Sequence, residues 1–120
     1  MPPLRLRLRP RADRRIRAGH PWIFSNEIAD DVAALPVGGA VDVHDAAGEL
    51  LGRGYCNPRS LIAVRMLSRA TPDIDAAPFW TARIAAAVAH RERIYPGRRS
   101  LRLVNAESDG LPGLIVDRFA

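Results

Sequence analysis

Leucines and arginines alternate at the start of this chain, with Leu4, Leu6 and Leu8 set between Arg5, Arg7 and Arg9. A period of two places one residue type on each face of an extended segment, so residues 4–8 are predicted as a half-buried strand that ends at Pro10. Residues 12–18 have room for one or two helical turns, with Gly19 as the stop. The short apolar run His20-Pro21-Trp22-Ile23-Phe24 follows, and a loop is marked by Pro36 and Gly38-Gly39. From Ala40 the pattern belongs to strands. Candidates are residues 41–44, 50–55 and 61–67, separated by turns at Ala46-Ala47-Gly48 and Asn57-Pro58. Gly52 and Gly54 interrupt the middle strand, as at a bulge or a tight barrel corner. Short strands with Gly and Pro turns point to a small β-barrel or sandwich.

The period then changes. Residues 68–78 form a connection, with Asp75 as the expected N-cap and Pro78 in the first turn. Residues 79–94 are predicted as a helix, with Trp80, Ile84, Ala87, Val88 and Arg91 on one face and Pro96-Gly97 after its end. Residues 101–105 and 114–119 are two short strands around a turn-rich loop with Asp109-Gly110 and Pro112-Gly113. A lone two-stranded hairpin is marginal in water. It is therefore expected to pack back on what precedes it or to open a longer unit, and to be the least supported part of the fold. The fold class is α+β: a small barrel over residues 1–70, then a helix and the hairpin of a second α/β domain, truncated, over 71–120.

Charge adds the strongest compositional signal. The 120 residues carry 18 basic and 13 acidic side chains, for a net charge of +5. Every basic residue is arginine, a bias that GC-rich coding accounts for. Clustering is a separate matter: Arg5, Arg7, Arg9, Arg11, Arg14, Arg15 and Arg17 all precede Ala18, with only Asp13 among them. Such a block is the footprint of a nucleic-acid partner, of a solvated face or of a mobile arm. The single cysteine, Cys56, excludes an internal disulfide and a Cys-rich zinc site. No apolar run is long enough to span a membrane and no signal peptide is visible, so a cytoplasmic location is expected.

Catalytic patterns are mostly missing. There is no G-x-G-x-x-G, no P-loop and no H-E-x-x-H, and His20, His44 and His90 lack ligand spacing, so no metal is expected. Cys56 reads as a small buried hydrophobe, because no neighbour in sequence lowers its pKa. Glu107 and Asp109 read as turn chemistry rather than as an acid–base pair. Arg91, Arg93, Arg98 and Arg99, at or beyond the helix end, leave macrodipole compensation and RNA contact both open. Binding residues are easier to name. Arg14, Arg15, Arg17, His20 and Trp22 form one group, and Asn57, Arg59, Ser60 and Arg65 a second, with Tyr55 nearby. Cations, an aromatic and amide or hydroxyl donors together suit phosphates and unpaired bases of RNA. Trp22, Ile23 and Phe24 serve equally well as core.

Three strings carry a resemblance. Residues 14–28, through HPWIFSNEI, residues 52–67, GRGYCNPRSLIAVRML, and residues 102–119, RLVNAESDGLPGLIVDRF, are similar to a bacterial family of S-adenosylmethionine-dependent rRNA large-subunit methyltransferases. The resemblance implies a PUA-like RNA-binding barrel over residues 1–70 and the opening of a central domain after it. It implies a methyltransferase domain beyond Ala120, which would hold S-adenosylmethionine and a nucleophilic cysteine. It also implies 23S rRNA as partner and cytosine C5 as the methylated atom. Cys56 stands where that family often has an aromatic before Asn-Pro, so it does not inherit the nucleophile's role. The chain itself is then expected to bind no cofactor and to be inactive alone. A stand-alone PUA-type module, and a protein-interaction module with a basic face, remain open.

Overall fold

The computed structural model describes residues 2–120. It divides into two compact units, one ending at Pro72 and the other running Asp73–Ala120. The strands are β1 (Leu4–Arg7), β2 (Trp22–Phe24), β3 (Ala40–His44), β4 (Leu50–Cys56), β5 (Ile62–Ser68), β6 (Leu101–Asn105) and β7 (Ile115–Arg118). The helices are α1 (Asp13–Arg17) and α2 (Ala77–Ile94). The mixed α+β class is the one expected from the pattern.

In the first unit five strands form one sheet in the order β1-β3-β4-β5-β2, with β1 parallel to β3 and the other pairs antiparallel. The ends of this sheet meet. Leu8 bridges Ile28, flanked by hydrogen bonds from Arg9 N to Glu27 O and from Ala29 N to Arg7 O. Closure removes the edge that would otherwise present unpaired backbone groups. Leu6, Leu8, Ile16, Ile23, Ile28, Val41, Val43, Leu51, Cys56, Ala63 and Val64 fill the interior. Each large side chain buried there contributes about 1.5–3 kcal/mol.

Two glycines of β4 make this curvature possible. A Cβ at Gly52 would run into the Ser68 carbonyl oxygen, and one at Gly54 into that of Arg65. The ladder between β4 and β5 shifts register at Arg53/Gly54, which is the bulge the two glycines predicted. Asp45 ties the β3–β4 turn together, accepting from Ala47 N at 3.0 Å and Glu49 N at 2.8 Å.

The second unit is smaller. β6 and β7 pair antiparallel, and α2 packs on them through Ala87, Val104 and Leu111, with Trp80, Leu103, Leu114 and Val116 around this core. The hairpin thus does pack back on the helix before it. Two expectations for α2 need correction. Asp75 is not its N-cap: the helix starts after Ala76, while the Asp73 carboxylate takes the Asp75 amide at 3.0 Å. Ile84 is exposed rather than on the packed face, because the hairpin covers only the Ala87 side. Among the described residues no helix is long and apolar enough to cross a membrane.

Candidate nucleic-acid interface

The face of the barrel sheet turned away from its core carries a row of candidate side chains. Trp22 on β2 lies opposite Arg65 on β5, which lies opposite Tyr55 on β4. All three are half-buried, whereas Ile23 and Val64, their neighbours on the other side of the sheet, are fully buried. Alternation in the strand therefore settles the ambiguity in Trp22-Ile23-Phe24: only Ile23 is core. The Arg65 guanidinium sits 6.0 Å from the Trp22 ring centroid, at the outer reach of a cation–π contact. His20 meets Trp22 edge-on at 5.8 Å, and its Nδ1 accepts the Trp22 amide at 3.1 Å. The loop after α1 is thereby locked against the start of β2.

Farther along β2 a second shelf appears. The Arg15 guanidinium lies 5.2 Å from the Phe24 ring and is held by Glu27 at 2.8 Å. Glu27 also accepts the Phe24 amide at 2.9 Å. These side chains, with Ser25, Asn26 and Leu61, line a cavity of about 510 Å³. Leu61 is 79% exposed, an apolar group offered to solvent rather than to the core. It follows the turn at 57–60, where Asn57 Oδ1 takes the Arg59 amide and Ser60 Oγ takes the Ile62 amide. Asn57 and Ser60 thus build the turn, and Arg59 is the side chain it projects.

The fold redistributes the arginine block. Sequence places only Asp13 among these residues, but folding brings carboxylates from far along the chain. Arg17 reaches Asp13 at 2.7 Å, Asp45 at 2.6 Å and Glu49 at 3.8 Å. The hydrogen bond that Arg17 donates to Asp13, then the charges of Glu49 and Asp13 and the hydrogen bond to Asp45, raise the Arg17 pKa. The amides of Glu49 and Ala47, together with Arg17, hold the Asp45 carboxyl below the ordinary carboxylate range. Arg17 is therefore engaged in holding α1 to the β3–β4 turn. Arg14 and Arg59 are exposed and make no ion pair among the described residues.

Phe24 and Leu61 were not among the binding residues named from sequence. The period-two spacing of Trp22 and Phe24 was the available signal for the first, and nothing local marked the second. Cys56 is fully buried, its Sγ is 3.0 Å from the Pro36 carbonyl, and burial pushes its thiol pKa up. Asp109 is gripped by both arms of Arg91, at 2.5 and 2.8 Å, which lowers its pKa and makes it a structural group.

Residues 6–69 match the PUA-like domain family. Over 120 residues the chain is 40% identical to ribosomal RNA large subunit methyltransferase I of Shewanella denitrificans, spanning 98% of this chain and 30% of the relative. It is 34% identical to a ribosomal RNA large subunit methyltransferase of Deinococcus radiodurans, spanning 99% of this chain and 31% of that protein. The chain thus covers about a third of the length of these relatives. Among solved structures, a Streptococcus mutans protein assigned as a SAM-dependent methyltransferase superposes with a TM-score of 0.80 at 15% identity, over 97% of this chain and 30% of its own. A protein assigned as a methyltransferase and solved with SAH gives 0.78 at 16% identity, over 99% of this chain and 30% of its own. These two share the fold. The chain belongs to the PUA-like domain family and is homologous over nearly its whole length to ribosomal RNA large subunit methyltransferases.

Proposed function

We propose that this chain is the RNA-docking part of an S-adenosylmethionine-dependent rRNA large-subunit methyltransferase, positioning 23S rRNA for methylation at cytosine C5 by a domain outside it. The observation that carries this reading is the half-buried Trp22–Arg65–Tyr55 row, continued by the Arg15–Phe24 shelf. Stacking planes and guanidiniums on one sheet face suit single-stranded RNA, where unpaired bases stack and cations take the phosphates. Arg14 and Arg59 are the phosphate ligands in this scheme. Trp22, with His20 behind it, and Arg65 offer one stacking surface, and Phe24 with Arg15 a second. Asn57 and Ser60 act by holding the turn that presents Arg59, and Arg17 by anchoring α1.

The methyl donor supplies an activated methyl group to the parent enzyme. The residues described here do not fit it. Its sulfonium is a cation, and the second unit's cavity of about 550 Å³ is ringed by Arg91, Arg98, Arg99 and Arg118 against one carboxylate, Glu92. This chain's task is to bind and orient RNA.

Titration of a labelled single-stranded RNA at several salt concentrations tests the reading. Neutralising about four phosphates gives a slope of log affinity on log salt of roughly −3. Arg14→Glu with Arg59→Glu should reduce that slope by about 1.4. Trp22→Ala should cost about 1–3 kcal/mol of binding with the slope kept. Salt-independent binding, or indifference to all of these changes, would sink the proposal, and methyl transfer by the isolated chain would contradict the division of labour.

A further inference from the structure

The second unit carries its own concentration of positive charge around an aromatic, and the barrel reading does not use it. Beyond α2 the chain turns at Pro96-Gly97, where Gly97 has φ 76°, and returns as β6. The cavity in this bend is lined by Tyr95, Arg98, Arg99, Leu101, Leu103 and Arg118, with Arg91 and Glu92 from the last turn of the helix. The arginines have two different jobs. Arg91 is held by Asp109, and Arg118 clamps the bend by donating to the Arg99 carbonyl at 2.6 Å and the Arg98 carbonyl at 2.9 Å. Arg98 and Arg99 are exposed and make no ion pair among the described residues.

Compensation of the helix dipole explains only some of these charges. Its influence falls off within the last turn, and α2 ends at Ile94. Arg91 and Arg93 lie in that turn, whereas Arg98 and Arg99 lie past it. Arg98 instead stands 5.5 Å from the ring of Tyr95, which is 47% exposed. Half-buried Leu101 and Leu103 supply an apolar floor. With Arg91 answered by Asp109, the cavity still has Arg98, Arg99 and Arg118 against one lining carboxylate, Glu92, and that excess suits a polyanion. The aromatic plane and apolar floor select a polyanion that also carries flat, unstacked rings.

We propose that this bend is a second RNA contact, in which Tyr95 stacks on a base of a single-stranded segment while Arg98 and Arg99 take the adjoining phosphates. The site lies within the second unit and shares with the preceding reading only that the partner is RNA. A base-paired helix keeps its rings stacked on one another and gives Tyr95 nothing to hold, so duplex RNA should bind here more weakly.

The test is a titration of the full chain with single-stranded hexauridylate, followed by amide NMR and by anisotropy. Amides of Tyr95 and of residues 97–101 should shift. Arg98→Glu with Arg99→Glu should abolish those shifts, weaken binding on the order of tenfold and reduce the salt slope by about 1.4. Tyr95→Ala should weaken binding and leave the slope unchanged. Both arginines are exposed, so an unchanged spectrum elsewhere verifies folding. If the Arg98/Arg99 variant binds like the parent while Arg14→Glu with Arg59→Glu weakens binding, this inference falls and the barrel reading stands. The reverse pattern supports this site and overturns the barrel reading. Equal shifts of those amides with hexaglutamate would overturn RNA as the occupant.

Discussion

The two units solve the same packing problem with unequal means. The barrel closes its sheet through the Leu8–Ile28 bridge and buries eleven residues in one cluster. The second unit has an open two-stranded sheet, one helix, and a buried cluster of Ala87, Val104 and Leu111. A closed sheet satisfies its own backbone groups and encloses its own core. An open hairpin depends on what covers it, and side-chain pairs add to the holding. In the second unit Arg91 bonds Asp109 and the Arg102 carbonyl, Arg83 donates to the Gly110 carbonyl, and Arg102 bonds Asp117. Arginine thus has two uses in each unit. In the barrel Arg17 and Arg53 hold carboxylates, while the exposed Arg14 and Arg59 make no ion pair among the described residues. In the second unit Arg91 and Arg102 hold carboxylates, while the exposed Arg98 and Arg99 make none among the described residues.

The contrast is measurable because each unit contains one tryptophan, Trp22 or Trp80. The largest effects should come from the cores. Leu6→Ala should cost the barrel about 2–5 kcal/mol, read from Trp22 fluorescence in urea with Trp80 replaced by Phe. Leu111→Ala should leave the second unit without a stable fold, read from Trp80 with Trp22 replaced by Phe. Equal tolerance of the two changes would break the comparison. Native-state amide exchange sharpens it without mutation: amides of β6 and β7 should exchange faster than those of β3, β4 and β5. Protection as strong in the hairpin as in the barrel would show that the side-chain pairs compensate fully for the small core.

A smaller effect is expected from the pairs themselves. Asp109→Asn removes the charge that Arg91 grips and weakens the bond to the Asn105 amide. After allowance for solvent screening, the loss should be about 1–2 kcal/mol, confined to the Trp80 transition. If Arg91→Ala proves as costly in an Asp109→Asn background as alone, the pair is not coupled and the account of the second unit fails.

What the sequence made legible follows the range of the interactions. Strands β3, β4 and β5 were readable because alternation and turn residues are local, and Gly52 and Gly54 marked the bulge. The closure of the barrel was not, because Leu8 and Ile28 are far apart and no turn motif joins them. The pairing within the arginine block was hidden for the same reason. Within the block Arg17 has only Asp13 for company, yet Asp45 and Glu49, about thirty residues on, hold it in the fold. The N-cap of α2 was misplaced by competition between neighbouring carboxylates, since Asp73 captures the amide of Asp75. On the candidate face Trp22 and Arg65 were named from residue type, and the strands place them opposite each other. Phe24 needed the strand's facing, and Leu61 needed the shelf it lines. Homology gave the family, and only the geometry separated exposed arginines such as Arg14 and Arg59 from anchors such as Arg17.

The smallest expected effect is the dependence of each unit on acid. Asp109 and Asp117 have pKa values lowered by hydrogen bonds from Arg91 and Arg102, and Asp45 by hydrogen bonds from the amides of Glu49 and Ala47, then by Arg17. A carboxyl with a depressed native pKa binds fewer protons folded than unfolded. Its stabilisation is therefore present above the unfolded value, about 3.9, and is lost as pH falls through the native value. Both units should be indifferent to pH between about 5 and 7 on this account. Below that the second unit should weaken first, since two such carboxylates there stand against three core residues. Urea denaturation at successive pH values, read separately from Trp22 and Trp80, measures the difference. Asp109→Asn should flatten the acid limb of the Trp80 curve and leave the Trp22 curve in place. An unaltered Trp80 limb in that variant would show that the Arg91–Asp109 pair holds the hairpin by shape alone, and charge would then play no part in what separates the two units.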